Sequence, residues 1–369
     1  MKEIELSVKT LNNKYSIIIG SNLVSKLKRV FLKNSIYSDK YLIVIDSGVP
    51  KFFLKKIKNS LKDKKKFFFI FKSNEINKNQ KSVNKILQVL LKNNFNRNDC
   101  LISIGGGITG DVAGFAASIF KRGIKFVNIP TTLLAQVDSS IGGKVGINDK
   151  KFGKNLIGSF YQPSLVISDI DFLKTLPKRE IICGYAEILK HSLIANKKFF
   201  NFLDNNIGKI INLKSPVIEK TIYKSCLIKK KIVEKDEKEK GLRKVLNLGH
   251  TFAHAYESSF NYSKKLNHGE AVILGINTAL NFCFKNKLIK NKDYKSIINH
   301  ITFSKLPSSL NKFFKKKDAN KILSFMESDK KNKSKKINLV LLKKIGTPII
   351  NKEFNREKIL EFLKNELNN

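Results

Sequence analysis

A short apolar run passes directly into a glycine-rich turn near residue 105, and this junction strongly constrains the fold. Residues 101–104 are typical of a buried strand, Gly105-Gly-Gly-Ile-Thr-Gly-Asp111 follows, and residues 112–119 have a helical pattern. A glycine turn between a strand and a helix lets backbone N–H groups approach a pyrophosphate at the helix N-terminus. Because the turn does not match Gly-x-Gly-x-x-Gly strictly, a tight turn without a ligand is the competing interpretation.

Further apolar runs recur at the spacing of an α/β sheet. Residues 41–45 and 67–71 are predicted strands, and residues 81–92 are a predicted helix. Helical crossovers between strands imply a largely parallel sheet. Pro130-Thr131-Thr132 follows another apolar run, residues 126–129, and could present two hydroxyls at a strand end. Ligands of open α/β sheets bind at the carboxyl ends of strands, so the two turns support each other.

The pattern changes after about Pro177, where helical periodicity replaces strands. Predicted helices cover residues 180–195, 217–234, 251–259 and 270–285, and one short strand is predicted at residues 337–342. We therefore predict two domains, an α/β domain in residues 1–175 and a mainly α-helical domain in residues 176–369. The chain is long enough for each domain to bury its own core.

The chain carries a formal net charge of +41, a value that suggests nucleic acid or an anionic membrane as a partner. Its lysines are scattered, however, and runs such as Lys64-Lys65-Lys66 and Lys315-Lys316-Lys317 belong to no single basic segment. Abundant Lys, Asn, Ile and Phe are typical of drift toward AT-rich codons. We therefore expect no nucleic acid and no membrane partner. A non-enzymatic nucleic-acid binder is the alternative, and salt-sensitive retention on DNA would test it.

Cysteine usage and the N-terminus both indicate a reducing compartment. The four cysteines, Cys100, Cys183, Cys226 and Cys283, lie far apart without Cys-x-x-Cys spacing, which predicts neither a zinc ribbon nor a disulfide framework. The first residues alternate polar and apolar side chains and lack the apolar stretch of a signal peptide. No run reaches the roughly 18 apolar residues of a membrane helix. We expect a soluble, cytoplasmic protein.

Three of the five histidines cluster in the predicted helical domain. His250 and His254 stand at positions i and i+4 on one helix face, and His268 precedes another predicted helix. Glu187 is a candidate for a further, oxygen ligand. Nitrogen and oxygen ligands with an open position are typical of a catalytic Zn²⁺ site. Since this spacing also arises by chance on helices, packed or solvated histidines are the alternative interpretation.

Together, these strings resemble the 3-dehydroquinate synthase family of the sugar phosphate cyclases, over nearly the whole chain. The matching strings are Gly105-Gly-Gly-Ile-Thr-Gly-Asp111, Lys121-Arg-Gly123, Pro130-Thr-Thr-Leu-Leu-Ala-Gln-Val-Asp-Ser-Ser-Ile-Gly-Gly-Lys144, Gly153-Lys-Asn155, Leu176-Pro-Lys-Arg-Glu180, Asn247-Leu-Gly-His-Thr-Phe-Ala-His254, His268-Gly-Glu270 and Asp329-Lys-Lys331. The resemblance implies a Rossmann-like dinucleotide-binding domain followed by an α-helical domain that binds metal and substrate. It also implies a homodimer that acts on a small sugar phosphate.

The resemblance further implies two cofactors, NAD and one divalent metal, zinc or cobalt. The implied metal ligands are Glu187, His250 and His268. The implied NAD contacts are Asp46, Glu75, Lys78, Gly106, Gly107, Ile108, Asp111, Thr131, Thr132, Lys144, Lys154, Phe172, Leu173, Lys174 and Thr175. The implied substrate contacts are Asp138, Lys144, Asn155, Lys190, Lys229, Arg243, Asn247, His254 and Lys330 or Lys331, with Arg122 from a second subunit. Those expected to take part in catalysis are Glu187, Lys144, His254, Asn155 and Arg243.

The implied contacts make chemical sense, with one departure from the family pattern. A phosphorylated acid needs several cations, which the lysines and arginine of this set supply. Asp46 follows the strand at residues 41–45, where a carboxylate can bind ribose hydroxyls. The family usually has Gly-Glu-x-x-Lys near residue 75, whereas this chain has Asn74-Glu-Ile-Asn-Lys78. Asn tolerates the left-handed backbone region, so we expect the turn to survive in that conformation.

The implied reaction converts 3-deoxy-D-arabino-heptulosonate 7-phosphate into 3-dehydroquinate and phosphate. It proceeds by transient oxidation with NAD, phosphate elimination, re-reduction, ring opening and intramolecular aldol closure. An aminocyclitol or valiolone-type synthase is one alternative, and Lys229, Arg243 and Asn247 favour the dehydroquinate enzyme over it. A metal-dependent polyol dehydrogenase is another, which would need fewer cations and would release NADH.

Overall fold

A computed structural model of the protein describes residues 3–327 and 336–368. Its contacts divide the chain into two compact units. The first comprises Met1–Pro177 and Ser215–Lys238, and the second comprises Lys178–Lys214 and Glu239–Asn369. The sequence prediction placed a single boundary at residue 175. The contacts put a boundary close to that position, but they return Ser215–Lys238 to the first unit.

The strands and helices of the described residues are numbered from the N-terminus. The strands are β1 (Ile4–Lys9), β2 (Lys14–Gly20), β3 (Lys40–Asp46), β4 (Lys65–Phe71), β5 (Cys100–Gly105), β6 (Lys125–Pro130), β7 (Lys144–Asp149), β8 (Gly153–Phe160), β9 (Leu165–Asp169), β10 (Ile337–Lys344) and β11 (Thr347–Phe354). The helices are α1 (Leu27–Lys33), α2 (Lys51–Ser60), α3 (Gln80–Lys92), α4 (Gly107–Ile119), α5 (Lys178–Ala195), α6 (Lys197–Ile211), α7 (Val217–Lys235), α8 (His250–Ser259), α9 (His268–Lys285), α10 (Asn291–Phe303), α11 (Ala319–Glu327) and α12 (Arg356–Glu366).

A seven-stranded sheet organises the first unit, in the order β1-β2-β9-β6-β5-β3-β4. Only the outer pair β1–β2 is antiparallel, and the other neighbouring strands pair in parallel. The predicted strands at residues 41–45, 67–71, 101–104 and 126–129 are β3 to β6. The predicted α/β class with a largely parallel sheet is therefore confirmed.

Helices cover both faces of this sheet, which explains its continuous apolar strands. Along β3, Tyr41, Ile43 and Ile45 pack with α1 and α2, while Leu42 and Val44 pack with α3 and α4. Successive side chains of a strand point to opposite faces, so a sheet buried on both sides needs apolar residues at every position. The carboxyl ends of β3, β4, β5, β6 and β9 consequently share one edge of the sheet.

Helix α7 belongs to the first unit, although the sequence prediction placed it in the second. Its Cys226 Sγ lies 3.4 Å from the backbone oxygen of Gln136, and its Glu234 accepts a 2.7 Å hydrogen bond from the backbone N–H of Lys9. Helical periodicity identifies an apolar face but not the surface against which that face packs. Chain order alone therefore assigned α7 to the wrong unit.

The second unit is mainly helical, as predicted. Helices α5, α8 and α9 coincide with predicted helices, and α8 and α9 are in extensive mutual contact. The predicted strand at residues 337–342 is β10, which pairs antiparallel with an unpredicted strand, β11. Within the described residues no helix is long and apolar enough to cross a membrane. The four cysteines are buried and unpaired.

Candidate active site

The predicted NAD contacts of the first unit gather at the carboxyl edge of the sheet. Asp46 ends β3, Gly105 ends β5, and Thr131 follows β6. The register pairs Ile45 with Ile104 and Gly105 with Pro130, so these strand ends are immediate neighbours. Burial raises the pKa of Asp46, whose Oδ1 accepts a 3.0 Å hydrogen bond from the N–H of Gly48. The sequence prediction of one ligand-binding edge agrees with this arrangement.

The glycine turn presents backbone atoms because it lacks room for side chains. Gly106 caps the N-terminus of α4, which begins at Gly107 and continues through Ile108. A Cβ atom at Gly106 would lie 3.3 Å from Thr132 Cγ2, and one at Gly107 would lie 2.9 Å from Ser139 Oγ. The exposed N–H groups of a helix N-terminus favour an anionic group. The turn thus fits a pyrophosphate, the ligand that its sequence suggested.

A buried cation links two predicted site groups. Lys78 Nζ lies 2.5 Å from Asp111 Oδ2 and 2.6 Å from Asn155 Oδ1. Burial raises the pKa of Asp111, and the Lys78 charge opposes that rise. Asn155 has a left-handed backbone, with φ of 55°, at the start of β8. One ammonium group therefore ties a predicted NAD contact, Asp111, to a predicted substrate contact, Asn155.

Asn148 extends this network and was missed by the sequence reasoning. Its Nδ2 donates to Glu75 Oε2 over 2.8 Å, and its Oδ1 accepts a 3.0 Å bond from the N–H of Asn155. Lys154 pairs with the same Glu75 at 2.7 Å. Asn148 lies on β7, and its partners come from a distant loop and from β8. Its sequence context, Gly146-Ile-Asn-Asp149, carries no signal for this role.

The turn before Glu75 survives by a different means from the one expected. Asn74 is not among the residues with positive φ, so it does not use the left-handed region. Instead, its side-chain oxygen accepts a 2.8 Å hydrogen bond from the N–H of Asn77. An Asn side chain can close a turn in this way. The expected left-handed conformation is wrong.

Four predicted NAD contacts of the first unit lie in one short segment. Phe172 and Leu173 are buried, and the ring centroid of Phe172 lies 4.0 Å from that of Phe53 in a tilted arrangement, so their side chains belong to the core. They lie in a short 3-10 helix, Ile170–Thr175, directly after β9. Its Lys174 pairs with Asp171 at 2.6 Å, and its Thr175 hydroxyl donates to the backbone oxygen of Phe172. Because the side chains of Phe172 and Leu173 are buried, the backbone is the part of these two residues that is left to contact a ligand.

Lys229 of α7 contacts another predicted substrate residue of the first unit, Asp138. Its Nζ donates to Asp138 Oδ1 over 2.7 Å and to the Asp138 backbone oxygen over 2.6 Å. Lys144 begins β7, after Gly142 and Gly143, which both have positive φ. Arg122 is exposed and has a left-handed φ of 65°. Residues that the sequence placed in one substrate set therefore occur in both units.

The second unit brings the three predicted metal ligands to one point. His250 Nε2 lies 3.5 Å and His268 Nε2 lies 3.6 Å from the same oxygen, Glu187 Oε1. Ligand atoms of all three residues lie within 4.8 Å of one another. A tetrahedral Zn²⁺ with ordinary bonds holds nitrogen and oxygen ligands about 3.4 Å apart. The spacing therefore fits a single divalent metal.

The polar environment of Glu187 also fits a cation. Its side chain is fully buried, and its Oε1 accepts no hydrogen bond from the described residues. Lys190, one helical turn away on α5, forms an ion pair with it. Burial by itself would raise the pKa of Glu187, but Lys190 and the two histidines hold that pKa well below its usual range. A buried, ionised and incompletely satisfied carboxylate is a suitable metal ligand.

Both histidines direct the correct nitrogen toward Glu187. His250 Nδ1 lies 3.2 Å from the backbone oxygen of Leu248, and His268 Nδ1 lies 3.1 Å from Glu257 Oε2. An Nδ1–H held by an acceptor leaves the Nε2 lone pair for a metal. Burial and Lys190 lower the pKa of His250. Burial opposes protonation of His268, yet Glu257 and Glu187 raise the pKa of His268 to about 10, so a metal would displace a proton there.

Two glycines allow the helices that carry these ligands to approach. A Cβ atom at Gly269, the second residue of α9, would lie 2.2 Å from Cys183 Cα on α5. Gly249 caps α8 with a φ of 76°, and a Cβ atom there would lie 2.6 Å from the backbone nitrogen of Ile276. Only glycine fits such contacts without displacing backbone. Close helix packing thus sets the positions of His250 and His268.

Other predicted substrate contacts surround this part of the second unit. Arg243 and Asn247 lie in a 3-10 helix, Leu242–Asn247, which precedes α8, and Arg243 is buried. Asn247 Nδ2 donates to Glu239 Oε1 over 3.0 Å. The ring of His254 is 5.4 Å from that of His250. Lys330 and Lys331 lie outside the described residues.

Glu257 was missed, although the sequence contains a signal for it. It follows His250 by seven residues on α8, which is two helical turns and therefore the same face. The sequence reasoning stopped at the His250 and His254 pair. Extending the same periodicity by one more turn reaches the carboxylate that contacts His268.

Comparisons with known proteins agree with this arrangement. Residues 68–183 match the family described as 3-dehydroquinate synthase N-terminal, and residues 184–332 match 3-dehydroquinate synthase C-terminal. A protein of Pelagibacter ubique (strain HTCC1062) named 3-dehydroquinate synthase is 60% identical over 364 residues, or 99% of each chain. A protein of the same name from Campylobacter concisus (strain 13826) is 42% identical over 98% of this chain and 99% of its own.

The fold is shared with solved sugar phosphate cyclases. A 2-deoxy-scyllo-inosose synthase in complex with carbaglucose-6-phosphate, NAD+ and Co2+ superposes with a TM-score of 0.87 at 23% identity, covering 98% of this chain and 100% of the other. This likeness confirms the predicted Rossmann-like and helical architecture. The two family matches and the 60% identity to the Pelagibacter ubique protein over 99% of each chain establish more than the fold. The chain belongs to the 3-dehydroquinate synthase family.

Proposed function

We propose that this protein is a 3-dehydroquinate synthase, a phosphate-eliminating carbon–oxygen lyase of the shikimate pathway. It would convert 3-deoxy-D-arabino-heptulosonate 7-phosphate into 3-dehydroquinate and phosphate. The observation that carries the proposal is the meeting of Glu187, His250 and His268 within the described second unit of a chain that matches the family over its full length. The members of this family named above support the same activity.

NAD is the first cofactor in the proposal, and its site is the carboxyl edge of the first unit's sheet. Gly106 and Gly107 would bring backbone N–H groups to the pyrophosphate, and Asp46 would accept hydrogen bonds from ribose hydroxyls. The network of Glu75, Lys78 and Asp111 holds the neighbouring loop in place. When bound, NAD removes and later returns a hydride, so it is regenerated in each cycle.

A divalent metal, zinc or cobalt, is the second cofactor. Glu187, His250 and His268 would hold it, and their distances and tautomers fit that role. When bound, the metal acts as a Lewis acid that polarises a substrate oxygen. Lys190 keeps Glu187 ionised and ready to bind a cation. His250→Ala should therefore lose both bound metal and turnover.

Buried cations would bind the acidic groups of the substrate. Lys190, Lys229 and Arg243 are each at most 5% exposed, and positive groups in such a dry environment bind carboxylate and phosphate strongly. Asn155, Asn247 and His254 would donate or accept hydrogen bonds at the sugar hydroxyls. The substrate phosphate itself would take the proton during its own elimination, and no carboxylate base is assigned.

The proposal includes a cytoplasmic homodimer in which Arg122 serves the partner's site. The exposed side chain of Arg122 supports a contact with another subunit. Mixing Arg122→Ala and Lys190→Ala subunits tests this directly. Heterodimers would contain one site with both intact residues, so partial recovery of activity is expected. No recovery in a mixture of stable heterodimers would refute the exchange.

Phosphate release under limiting NAD tests the proposed activity. The purified protein, loaded with Zn²⁺ or Co²⁺, is incubated with the heptulosonate phosphate and substoichiometric NAD. Many phosphate molecules should be released for each NAD, with no net NADH, and 3-dehydroquinate should appear in equal amount. Stoichiometric NADH without phosphate would instead indicate a polyol dehydrogenase. The same assay with His250→Ala provides the metal-site control.

A further inference from the structure

We propose that Glu257 is a positioning residue of the metal site, which holds the ring of His268 in its metal-binding tautomer and orientation. The inference rests on the metal site of the proposed function and goes beyond its three ligands. Glu257 Oε2 lies 3.1 Å from His268 Nδ1, while His268 Nε2 lies 3.6 Å from Glu187 Oε1. The two ring nitrogens thus face two different carboxylates, one on each side.

The backbone of His268 is held independently of Glu257. Asn267 and Glu270 form a reciprocal capping box at the start of α9, with bonds of 2.8 Å and 3.0 Å. Arg179 holds Glu270 through two hydrogen bonds. These contacts place the Cα atom of His268 but leave its ring free to flip. On the side of the ring away from Glu187, the Glu257 carboxylate contacts Nδ1 and so distinguishes the two ring nitrogens.

A comparison with His250 shows what the contact between Glu257 and His268 adds to the metal site. Its Nδ1 faces a neutral acceptor, the backbone oxygen of Leu248, at 3.2 Å. His268 faces a carboxylate that is only 7% exposed. A charged acceptor forms the stronger hydrogen bond and makes the opposite nitrogen of the imidazole more basic. His268 therefore becomes the stronger nitrogen donor of the pair because of Glu257.

Helix α8 delivers both the ligand and the positioning group. Glu257 lies two turns after His250 on the same helical face, and α8 packs closely against α9 at Gly249 and Gly275. A Cβ atom at Gly275 would lie 2.2 Å from the backbone oxygen of Gly249. This rigid pairing fixes the distance between the Glu257 carboxylate and the His268 ring. The arrangement is the carboxylate–histidine–metal pattern in which an outer carboxylate orients a ligand.

Metal affinity, measured apart from turnover, tests the role of Glu257. Zn²⁺ dissociation constants of the wild type, Glu257→Gln and Glu257→Ala are determined by chelator competition, with circular dichroism as a check of folding. Glu219→Gln is the matched control, because Glu219 is a similarly buried glutamate, 3% exposed, in the first unit. We expect both Glu257 variants to bind Zn²⁺ about 10- to 100-fold more weakly and the control to match the wild type.

The visible absorption of the Co²⁺-loaded protein separates positioning from general destabilisation. A change in the ligand field should accompany Glu257→Gln, which keeps the size of the side chain and removes its charge, and should be missing in Glu219→Gln. If Glu257→Ala does not fold, Glu257→Gln still provides the test. Affinity and spectrum equal to those of the wild type in Glu257→Gln would overturn the role of Glu257 alone. A wild-type protein that binds neither Zn²⁺ nor Co²⁺ would overturn the metal site itself.

Discussion

Replacing Gly269 with alanine should separate α9 from α5 and weaken the metal site. A Cβ atom at this position would lie 2.2 Å from Cys183 Cα and 2.5 Å from the Cys183 backbone oxygen, which cannot rotate away. Ordinary contact begins near 3.4 Å. The two helices must therefore move apart locally by about 1.2 Å, the response of a close-packed core to an added carbon. His268 is the residue next to this displacement, and Glu187 lies one turn beyond Cys183.

The ligand geometry tolerates little of that movement. His268 Nε2 and Glu187 Oε1 are 3.6 Å apart, and two metal bonds of about 2.1 Å cannot join atoms more than about 4.2 Å apart. A full displacement would take the two atoms to about 4.8 Å, beyond that limit. We expect Zn²⁺ affinity to fall at least about tenfold and the free energy of unfolding to fall by about 1–3 kcal/mol.

Chelator competition and urea unfolding measure these two effects. The control is Gly208→Ala on α6, where a Cβ atom would meet nothing within 4 Å in the described chain. Alanine is the better helix former, so this control should gain about 0.5–1 kcal/mol of stability and keep its metal affinity. A Gly269→Ala protein with wild-type Zn²⁺ affinity and wild-type stability would refute the argument from helix contact.

Three further predictions concern other parts of the chain. Gly106→Val should raise the NAD requirement strongly while metal content stays unchanged, because its side chain would crowd Thr132 and the pyrophosphate edge; unchanged NAD affinity in a binding titration would contradict the site. Arg243→Lys should lower kcat/KM about ten- to a hundredfold, since the planar guanidinium with its paired donors is replaced by the point charge of an ammonium group. Replacing the exposed Lys64 and Lys65 with Gln should change kcat/KM only a few-fold. A larger, salt-dependent loss of kcat/KM in the lysine variant would show that the basic surface is functional. Burial lowers the pKa of His300, which contacts Tyr185 and Asp204 at 2.8 Å each. The stabilising contribution of the neutral His300 ring is therefore complete above the pKa of the unfolded state, about 6.5, and is lost as the pH falls through the lower pKa of the folded state. In His300→Gln the melting temperature should therefore fall less steeply with decreasing pH than in the wild type. Equal slopes in the two proteins would show that His300 does not contribute to the acid sensitivity.

The sequence alone determined the parallel sheet and the ends of most predicted elements. Strands β3, β5 and β6 could be read from continuous apolar runs because helices cover both faces of the sheet and bury nearly every side chain. The edge strand β4 has the same apolar pattern although it is only partly buried. The hairpin β7–β8 could not be read in this way, since β8 has alternating and largely exposed residues, including Gly153 and Gly158. Its strands are held by pairing with each other rather than by a buried apolar run.

Residue types and helical spacing made the clustered histidines and Glu187 candidates for a metal site, and the resemblance to 3-dehydroquinate synthases selected Glu187, His250 and His268 as the ligands. What tertiary structure decided was their convergence, because Gly249, Gly269 and Gly275 permit helix contacts that no local pattern encodes. It also decided the unit to which α7 belongs, through contacts such as that of Cys226 with Gln136. Asn148 acquires its role only in three dimensions, whereas helical spacing puts Glu257 on the face of His250 and the packing of α8 against α9 then brings it to His268. A side chain's spacing along its own helix or strand is a local property, whereas its hydrogen-bond partner on another element is set by how the whole core packs.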